Sequence, residues 1–219
     1  MKNRKASALV AALASGLMLV GAAGVAFTSS GGSAMTEPQK ESAINIGDKA
    51  PDFTLTDTEG KTHTLSEYTK QGKIVVLEWF NPGCPWVVRV HEKSDVMTKT
   101  AEANKDSVVW LAINSGAAGK QGHGKELNAE MKKKWNIGYP ILLDESGTVG
   151  KAFGAKVTPH MFVIAADGTL AYAGAIDDGA KDKIGEPNYV ADAIAAVKAG
   201  ETLKVTTKKP QGCSVKYAD

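Results

Sequence analysis

The chain has 219 residues, of which 43% are hydrophobic and 23% are charged, as in ordinary soluble globular proteins. The formal net charge is +2, and residues 1–34 contain three of the 26 basic residues and none of the 24 acidic ones. The rest of the chain is therefore close to neutral, and nothing in it indicates a nucleic-acid partner.

The N-terminus predicts an export signal, because basic residues within positions 2–5 precede an uncharged stretch rich in Ala, Gly and Leu at 6–27. Small residues then lead to a cleavage region at Ser33-Ala34. An uncleaved membrane anchor is the alternative, since about 20 apolar residues can span a bilayer, but the richness in Ala and Gly favours cleavage. Either interpretation of residues 1–34 predicts a periplasmic or otherwise extracytoplasmic protein, with a membrane partner only if the leader is uncleaved.

Residues 35–43 form a predicted flexible tether, residues 44–200 a globular domain and residues 201–219 a C-terminal tail. Apolar, β-branched runs that predict strands alternate with segments of helical period. In chain order, we expect a hairpin of strands at 53–55 and 62–65, a short helix capped by Ser66, a strand at 74–77, a helix from Pro85 whose apolar stripe continues to Ala101, a strand at 107–113, a helix at 125–135, a strand at 139–143, a short helix at 149–153, a hairpin of strands at 161–165 and 170–175, and a helix at 189–199 ended by Gly200. This order predicts an α/β sandwich with a mixed sheet.

Cys84 lies between the predicted strand at 74–77 and the predicted helix that follows it. It directly precedes Pro85, a residue suited to a first helical turn. Unpaired N–H groups and the positive end of the helix dipole stabilise a thiolate at such a position. A cysteine with an ordinary pKa of about 8.5 can thereby become a nucleophile near neutral pH. The alternative is a cysteine that packs in the core as a small apolar group.

Cys213 is the only other cysteine of the chain. Outside the cytoplasm a disulfide can persist, and Cys84 and Cys213 are the only pair that could form one. A domain of this size does not need a structural disulfide, so a redox role is the better hypothesis.

The segment Gly47-Asp-Lys-Ala-Pro-Asp-Phe53 and the hairpin after it resemble the start of peroxiredoxin and redoxin domains. Four further motifs follow in order: Trp79-Phe-Asn-Pro-Gly-Cys-Pro-Trp-Val87, Thr158-Pro-His-Met-Phe162, Tyr172-Ala-Gly-Ala-Ile-Asp-Asp178 and Gly212-Cys-Ser-Val-Lys-Tyr217. They are similar to those of the exported redoxin-domain branch of the alkyl hydroperoxide reductase/thiol-specific antioxidant group, in the thioredoxin-like superfamily. The resemblance implies a thioredoxin-like three-layer sandwich with a mixed central sheet and an N-terminal β-hairpin. It also implies a thiol oxidoreductase without a bound cofactor.

By this resemblance Cys84 takes the place of the attacking cysteine in a thioredoxin-like Cys-x-x-Cys, and Val87 stands at the resolving position. In an alternative register, Asn81 stands in for the first cysteine, and neither register restores a local pair. A typical peroxiredoxin has Pro-x-x-x-Thr-x-x-Cys, and here Leu77 and Asn81 occupy the Pro and Thr positions. The Thr hydroxyl that would help to position a peroxide is therefore absent.

Pro159 resembles the cis-proline that faces the active cysteine in thioredoxin folds. A cis bond there would expose backbone groups of Thr158 to an extended substrate. Peroxiredoxins usually lack this proline, so its presence favours disulfide exchange. The alternative is an ordinary trans proline in a loop.

Two groups near Cys84 in sequence are candidates for its activation. Glu78 could accept a proton from a reacting thiol if it is buried, or be a plain surface acid if the strand end is wet. Arg89 and His91 could lower the thiol pKa, but a solvated helix face is the favoured interpretation of both.

Other side chains have weaker candidate roles. His160 is the imidazole expected to face Cys84, while Trp79 and Trp86 could form an apolar substrate platform or pack in the core. One nearby cysteine and a histidine are few ligands for copper, so we expect no metal site. Asp177-Asp178 is interpreted as a turn rather than a cation site.

We therefore expect an extracytoplasmic thiol oxidoreductase in which Cys84 attacks a protein disulfide or a small peroxide and an external thiol restores the reduced form. By resemblance to two-cysteine peroxiredoxins, Cys213 is the candidate resolving cysteine, within one chain or across a dimer, on a tail that residues 206–212 should leave mobile. The alternative is that Cys213 pairs with nothing. The alternatives are a non-catalytic binding or scaffold domain with a structural Cys84 and a copper-handling protein.

Overall fold

The computed structural model describes residues 43–218. The predicted leader at 1–34 and nearly all of the predicted tether lie outside the described residues. Within the described range, no helix combines the length and the apolar character needed to cross a membrane.

Six helices and ten strands form the described part of the chain. In order they are β1 Thr54–Asp57, β2 Thr62–Thr64, α1 Leu65–Lys70, β3 Ile74–Trp79, α2 Pro85–His91, α3 Val96–Glu102, β4 Val108–Asn114, α4 Lys125–Lys134, β5 Ile141–Leu143, α5 Thr148–Phe153, β6 Val157–Thr158, β7 His160–Ile164, β8 Leu170–Gly174, α6 Tyr189–Ala199, β9 Thr207–Lys208 and β10 Cys213–Ser214.

The central sheet has eight strands in the order β2-β1-β5-β4-β3-β7-β8-β9. Strand β3 is parallel to β4 and antiparallel to β7, so the predicted mixed sheet is confirmed. All six residues of β3 are buried, as expected for an apolar strand in the middle of a sheet covered on both faces.

A hydrophobic core lies on each face of this sheet. Successive β3 residues point to opposite faces, so Val76 belongs to the core that contains Cys84, and Val75 and Leu77 belong to the other. Helices α2, α3 and α6 contribute to the first core, and α1 and α5 to the second. The predicted three-layer sandwich is therefore confirmed, as is the N-terminal hairpin of β1 and β2.

Two predicted helix features are wrong in detail. The stripe that starts at Pro85 is not one helix, because α2 ends at His91 and α3 begins at Val96, where the Ser94 hydroxyl accepts the Val96 amide N–H at 3.0 Å. Ser66 is not a cap either, because α1 has already begun at Leu65.

The tail differs most from its prediction, since it is not a free segment. Strand β9 extends the central sheet parallel to β8, and β10 pairs with β6 in a separate two-stranded sheet. Gly174 allows the first contact, because a Cβ there would lie 2.1 Å from the carbonyl oxygen of Lys208. Strands of two residues carry too little periodicity to be detected in the sequence.

Candidate functional site

Cys84 lies at the junction of β3 and α2, immediately before Pro85 at the first helical position. The turn that delivers it is fixed by Asn81, whose side-chain oxygen accepts the Gly83 amide at 2.9 Å and whose carbonyl accepts the Cys84 amide at 3.0 Å. The Cys84 carbonyl in turn accepts the Val88 amide at 3.0 Å. The thiol is thus held by the central scaffold, and its side chain is fully buried.

The second cysteine lies beside the first. The β10–β6 register sets Cys213 opposite Thr158, and the Cys84 thiol donates a hydrogen bond to the Thr158 carbonyl oxygen at 3.0 Å. The Cys213 side chain is also a hydrogen-bonding partner of the Cys84 sulfur, and both residues are free thiols. The two cysteines therefore meet at Thr158, although they are far apart in sequence.

The pKa values of the two thiols are shifted in opposite directions. Burial raises the pKa of Cys84, but hydrogen bonds to its sulfur from the side chains of Cys213 and Thr158, and from the amides of Val87 and Cys213, outweigh burial and lower it. Burial, the hydrogen bond with Cys84 and the negative charge of a Cys84 thiolate raise the pKa of Cys213 to about 11. Cys84 is thus the member of the pair that forms a thiolate more readily.

The backbone on both sides of Cys213 contacts β6 and the residue before it. On one side, Gly212 lies so close that an added Cβ would be 2.2 Å from the Thr158 carbonyl oxygen. On the other, the Val215 amide donates to the Lys156 carbonyl at 3.0 Å. Only glycine fits the first position without moving the tail.

Tyr217 anchors the far end of the tail against α5. Its ring lies over Gly150, where an added Cβ would be 2.3 Å from the tyrosine oxygen, and its hydroxyl donates to the Ala155 carbonyl at 2.8 Å. The adjacent Lys216 carbonyl accepts the Ala117 amide at 2.8 Å. The prediction of a mobile tail is therefore wrong, because these contacts dock it.

Glu78 is fully buried, which excludes the interpretation as a surface acid. Its carboxylate lies 2.6 Å from His91 Nε2 and accepts hydrogen bonds from Tyr139 Oη at 2.9 Å and Trp110 Nε1 at 3.2 Å. These three side chains, rather than the Cys84 thiol, are the partners of the carboxylate. A buried charge with several donors is well satisfied, so Glu78 is part of a fixed polar cluster.

Arg89 and His91 are both buried, so their interpretation as a solvated helix face is wrong. The Arg89 guanidinium donates to Asp177 Oδ1 at 3.1 Å from both terminal nitrogens and to the Lys183 carbonyl at 2.8 Å. Asp177 also accepts the Gly179 amide at 2.7 Å, as expected of a turn residue. The segment after β8 covers this side of α2, an arrangement that helical periodicity cannot reveal.

Trp79 packs in the core and does not form an exposed platform beside Cys84, so the second of its two interpretations is confirmed. Its ring is fully buried in the second core, with ring-centroid distances of 5.0 Å to Phe162 and 5.5 Å to Phe153. The physical reason is strand alternation, which points Trp79 to the opposite sheet face from Glu78. Trp86 remains a candidate, since it is partly exposed and its ring centroid lies 5.4 Å from the Arg89 guanidinium carbon.

His160 directly follows the proline, and the Thr158–Pro159 peptide bond is cis, as predicted. Its ring is buried and packs on Phe162, with 4.4 Å between ring centroids. Burial, followed by the charge of Lys156, lowers the pKa of His160 to about 4. His160 is therefore neutral near pH 7 and packs with an aromatic ring of the second core, whereas Cys84 belongs to the first.

Sequence reasoning missed the loop that braces the Cys84 turn. The Gln121 side chain donates to the Gly83 carbonyl at 3.1 Å, and the Asn81 side chain donates to the Gln121 carbonyl at 3.2 Å. Gly122 lies directly on Asn81, since a Cβ there would be 2.0 Å from the side-chain oxygen. The available signal was a long glycine-rich loop, a feature that often accompanies function.

The family model that matches the sequence is Redoxin, and the match covers residues 45–192. The chain belongs to the redoxin family. The tail with Cys213 lies beyond the matched range, so the family match does not cover the contact between the two cysteines.

Curated relatives of this redoxin have two kinds of name. The thiol-disulfide oxidoreductase ResA of Geobacillus thermodenitrificans is 29% identical over 132 residues, which is 60% of this chain and 70% of the relative. The putative peroxiredoxin bcp of Coxiella burnetii is 28% identical over 124 residues, 55% of this chain and 73% of the relative. The names match the two enzyme classes expected from the sequence.

Solved structures confirm the fold of this redoxin. A hypothetical protein of Sinorhizobium meliloti superposes with a TM-score of 0.71 and 27% identity over 81% of this chain and 97% of its own. A putative thiol:disulfide interchange protein DsbE from Chlorobium tepidum gives a TM-score of 0.53 at 19% identity, covering 72% and 98% of the two chains. Within residues 43–218, the redoxin presents no group of three or more His, Cys, Asp or Glu residues arranged to bind a metal ion.

Proposed function

We propose that this redoxin is an extracytoplasmic thiol oxidoreductase in which Cys84 is the nucleophile and Cys213 is its resolving partner. The observation that carries the proposal is the meeting of the two cysteines at Thr158, with a lowered pKa at Cys84 and a raised pKa at Cys213. A thiolate is the reactive form of cysteine, so this asymmetry supports the assignment of roles.

The first step depends on the substrate. With a peroxide, the Cys84 thiolate forms an S–O bond, the O–O bond breaks, and the leaving oxygen takes a proton to become water or an alcohol. With a disulfide, Cys84 forms a mixed disulfide and the other sulfur leaves as a thiolate. In both cases Cys84 becomes an electrophile.

The second step is the same for both substrates. Cys213 attacks the Cys84 sulfur, the Cys84–Cys213 disulfide forms, and hydroxide or the substrate's second thiolate leaves. The resolving thiol needs no transport to the site, because it already contacts the Cys84 sulfur. Two electrons from an external thiol reductant then restore both thiols.

The side chains around the two cysteines position them and do not themselves form or break bonds in the reaction. Thr158, which precedes the cis Pro159, contacts both cysteines, and Trp86, two residues after Cys84, is partly exposed. Direct proton transfer from Cys84 to Glu78 is not favoured, because the carboxylate already accepts bonds from three other side chains. His160 is assigned to packing for the same kind of reason.

The location follows from the leader rather than from the domain. Residues 1–34 have the pattern of an export signal, and an extracytoplasmic compartment permits a disulfide to persist between turnovers. The partners are then a small peroxide or a protein disulfide as oxidant and an external thiol as reductant.

A paired assay tests the proposal. Reduced wild-type protein and Cys84→Ser are compared for consumption of hydrogen peroxide and for reduction of insulin disulfides. We expect the wild type to react with at least one of the two and Cys84→Ser with neither. If both proteins react at the same rate, Cys84 is not the nucleophile. If neither protein reacts, the binding or scaffold interpretation remains.

A further inference from the structure

Strand β10 is the only strand that pairs with β6 in the described part of the chain. Its residues Cys213 and Ser214 pair antiparallel with Thr158 and Val157, and β6 has no second strand partner there. Without β10, the edge of β6 would offer unpaired N–H and C=O groups beside Cys84. An edge of this kind is where an extended polypeptide adds as a further strand.

The tail binds along this edge of β6 in the way that an extended peptide would. It is extended, it places a cysteine against the reactive sulfur, and its glycine fits directly on Thr158, where an added Cβ would be 2.2 Å from the carbonyl oxygen. Thr158 is also buried, and its side chain is one of the groups whose hydrogen bonds lower the pKa of Cys84. No space remains at this edge for a second extended chain.

We propose that β10 is a specificity element that closes the Thr158 edge to polypeptides, so that small peroxides rather than protein disulfides oxidise Cys84. This inference rests on the proposed function and selects between its two substrate classes. It concerns the chain's own tail, residues 212–217, as the occupant of the edge.

The two oxidants place different demands on the tail. A peroxide needs only a path to the Cys84 sulfur, and the covering Cys213 side chain is itself partly exposed, so a local movement of that side chain is enough. A polypeptide disulfide needs the backbone edge of Thr158 as well, so all of β10 must leave. The anchors at Val215, Lys216 and Tyr217 oppose that larger movement.

The chemistry of the favoured reaction balances within the pair. The Cys84 thiolate attacks one peroxide oxygen, the O–O bond breaks, and water or an alcohol leaves after protonation. Cys213 then attacks the sulfenic sulfur, an S–S bond forms and the second oxygen leaves as water. The peroxide is the oxidant, and the two cysteines supply both electrons.

Two full-length variants loosen the tail and keep both cysteines. Gly212→Ala introduces a Cβ against the Thr158 carbonyl, and Tyr217→Ala removes the anchor on α5. Gly138→Ala is the matched control, because nothing lies within 4 Å of the added Cβ and its φ is not in the left-handed region. For each reduced protein, the second-order rate constants of thiol loss are measured with hydrogen peroxide and with insulin.

We expect wild type and Gly138→Ala to react faster with peroxide than with insulin. In at least one tail variant the rate constant with insulin should rise about 5- to 30-fold, because loss of one contact worth about 1–2 kcal/mol raises the fraction of molecules with a detached β10 by that factor. The rate constant with peroxide should change much less. An insulin constant that stays at the wild-type value in both tail variants would overturn the inference, as would a wild type that prefers insulin. If Cys84→Ser still reacts with either oxidant, the proposed function itself fails, which is a different result.

Discussion

The two cysteines of the site are held by very different parts of the molecule. Cys84 sits on a six-residue buried strand and the first turn of a helix, and its side chain is fully buried. Cys213 sits on a two-residue strand whose ladder involves only Val157 and Thr158, and it is partly exposed. The Cys84 sulfur is thus held by β3 and α2, which we call the scaffold side. The Cys213 sulfur is held by β10, which we call the strap side and which can detach locally without unfolding of the domain.

This difference explains the division of labour in the proposed reaction. Hydrogen bonds from Cys213, Thr158 and Val87 outweigh burial and lower the pKa of Cys84, whereas burial and the neighbouring Cys84 raise the pKa of Cys213 to about 11. A catalytic disulfide must form and open repeatedly, and a partly exposed partner on a short strand suits that need better than a second fully buried sulfur.

Removing each sulfur in turn should give the largest contrast. Cys84→Ser should lower the rate of oxidant consumption by about 10³-fold or more, because the covalent step loses its nucleophile. Cys213→Ala should keep the first turnover and then stop, because the oxidised Cys84 has no internal partner. Rapid-mixing measurements of the first turnover and of the steady state distinguish the two. A Cys213→Ala variant with an unchanged steady state would show that an external thiol does the resolving.

Glu78→Gln probes the scaffold side. Replacing the buried carboxyl group that contacts His91, Tyr139 and Trp110 should destabilise the protein by about 3 kcal/mol, since the substitution leaves buried polar groups without their full partner. The folded variant should react at Cys84 within a few-fold of wild type. Denaturant unfolding and the first-turnover rate measure the two effects. A much slower first turnover at wild-type stability would instead identify Glu78 as the direct proton acceptor.

Reduction of the oxidised pair probes the strap side. An external thiolate should attack Cys213, because Cys213 is partly exposed whereas Cys84 is buried, and because Cys84, with the lower pKa, is the better leaving group. Oxidised wild type treated briefly with glutathione and quenched in acid should carry the adduct on Cys213 about tenfold more often than on Cys84, which corresponds to about 1.4 kcal/mol of preference. Peptide mass analysis locates it, and an adduct mainly on Cys84 would reverse the assigned polarity.

The smallest expected effect is on the titration of Cys84. The Cys213 side chain is the first of the groups that lower the pKa of Cys84, so Cys213→Ala should raise that pKa. Alkylation requires the thiolate, so its rate rises with pH through the pKa, and the midpoint should move to higher pH in the variant. Iodoacetamide kinetics from pH 5 to about 10 provide the measurement, bracketing the ordinary thiol value. A midpoint that moves to lower pH would mean that Cys213 does not stabilise the thiolate.

The sequence was sufficient for the parts of this site that local patterns encode. The buried strand, the break at Asn81 and the proline after Cys84 together predict a cysteine at a helix start, and the structure has it there. Motif resemblance was needed for the cis bond before Pro159 and for the family.

What the sequence could not predict depends on contacts between distant segments. Arg89 was interpreted as solvated because its partner Asp177 lies on a segment that only the fold brings over α2. The tail was expected to be mobile because residues 206–212 contain two lysines, a proline and a glycine, yet Gly212 and Tyr217 each fit closely against another segment of the chain. Such fits are set by tertiary structure and leave no local signal.

The central claim is that Cys84 and Cys213 form one redox pair. Wild-type protein is oxidised with one equivalent of hydrogen peroxide and digested without reduction, with Gly138→Ala as the folded control. We expect a cross-linked peptide that joins Cys84 to Cys213 and that disappears on treatment with a thiol. If Cys84 instead accumulates as sulfenic acid, or as sulfinic acid when a second equivalent of peroxide is added, while Cys213 remains a free thiol, the two cysteines are not a redox pair and the account is contradicted.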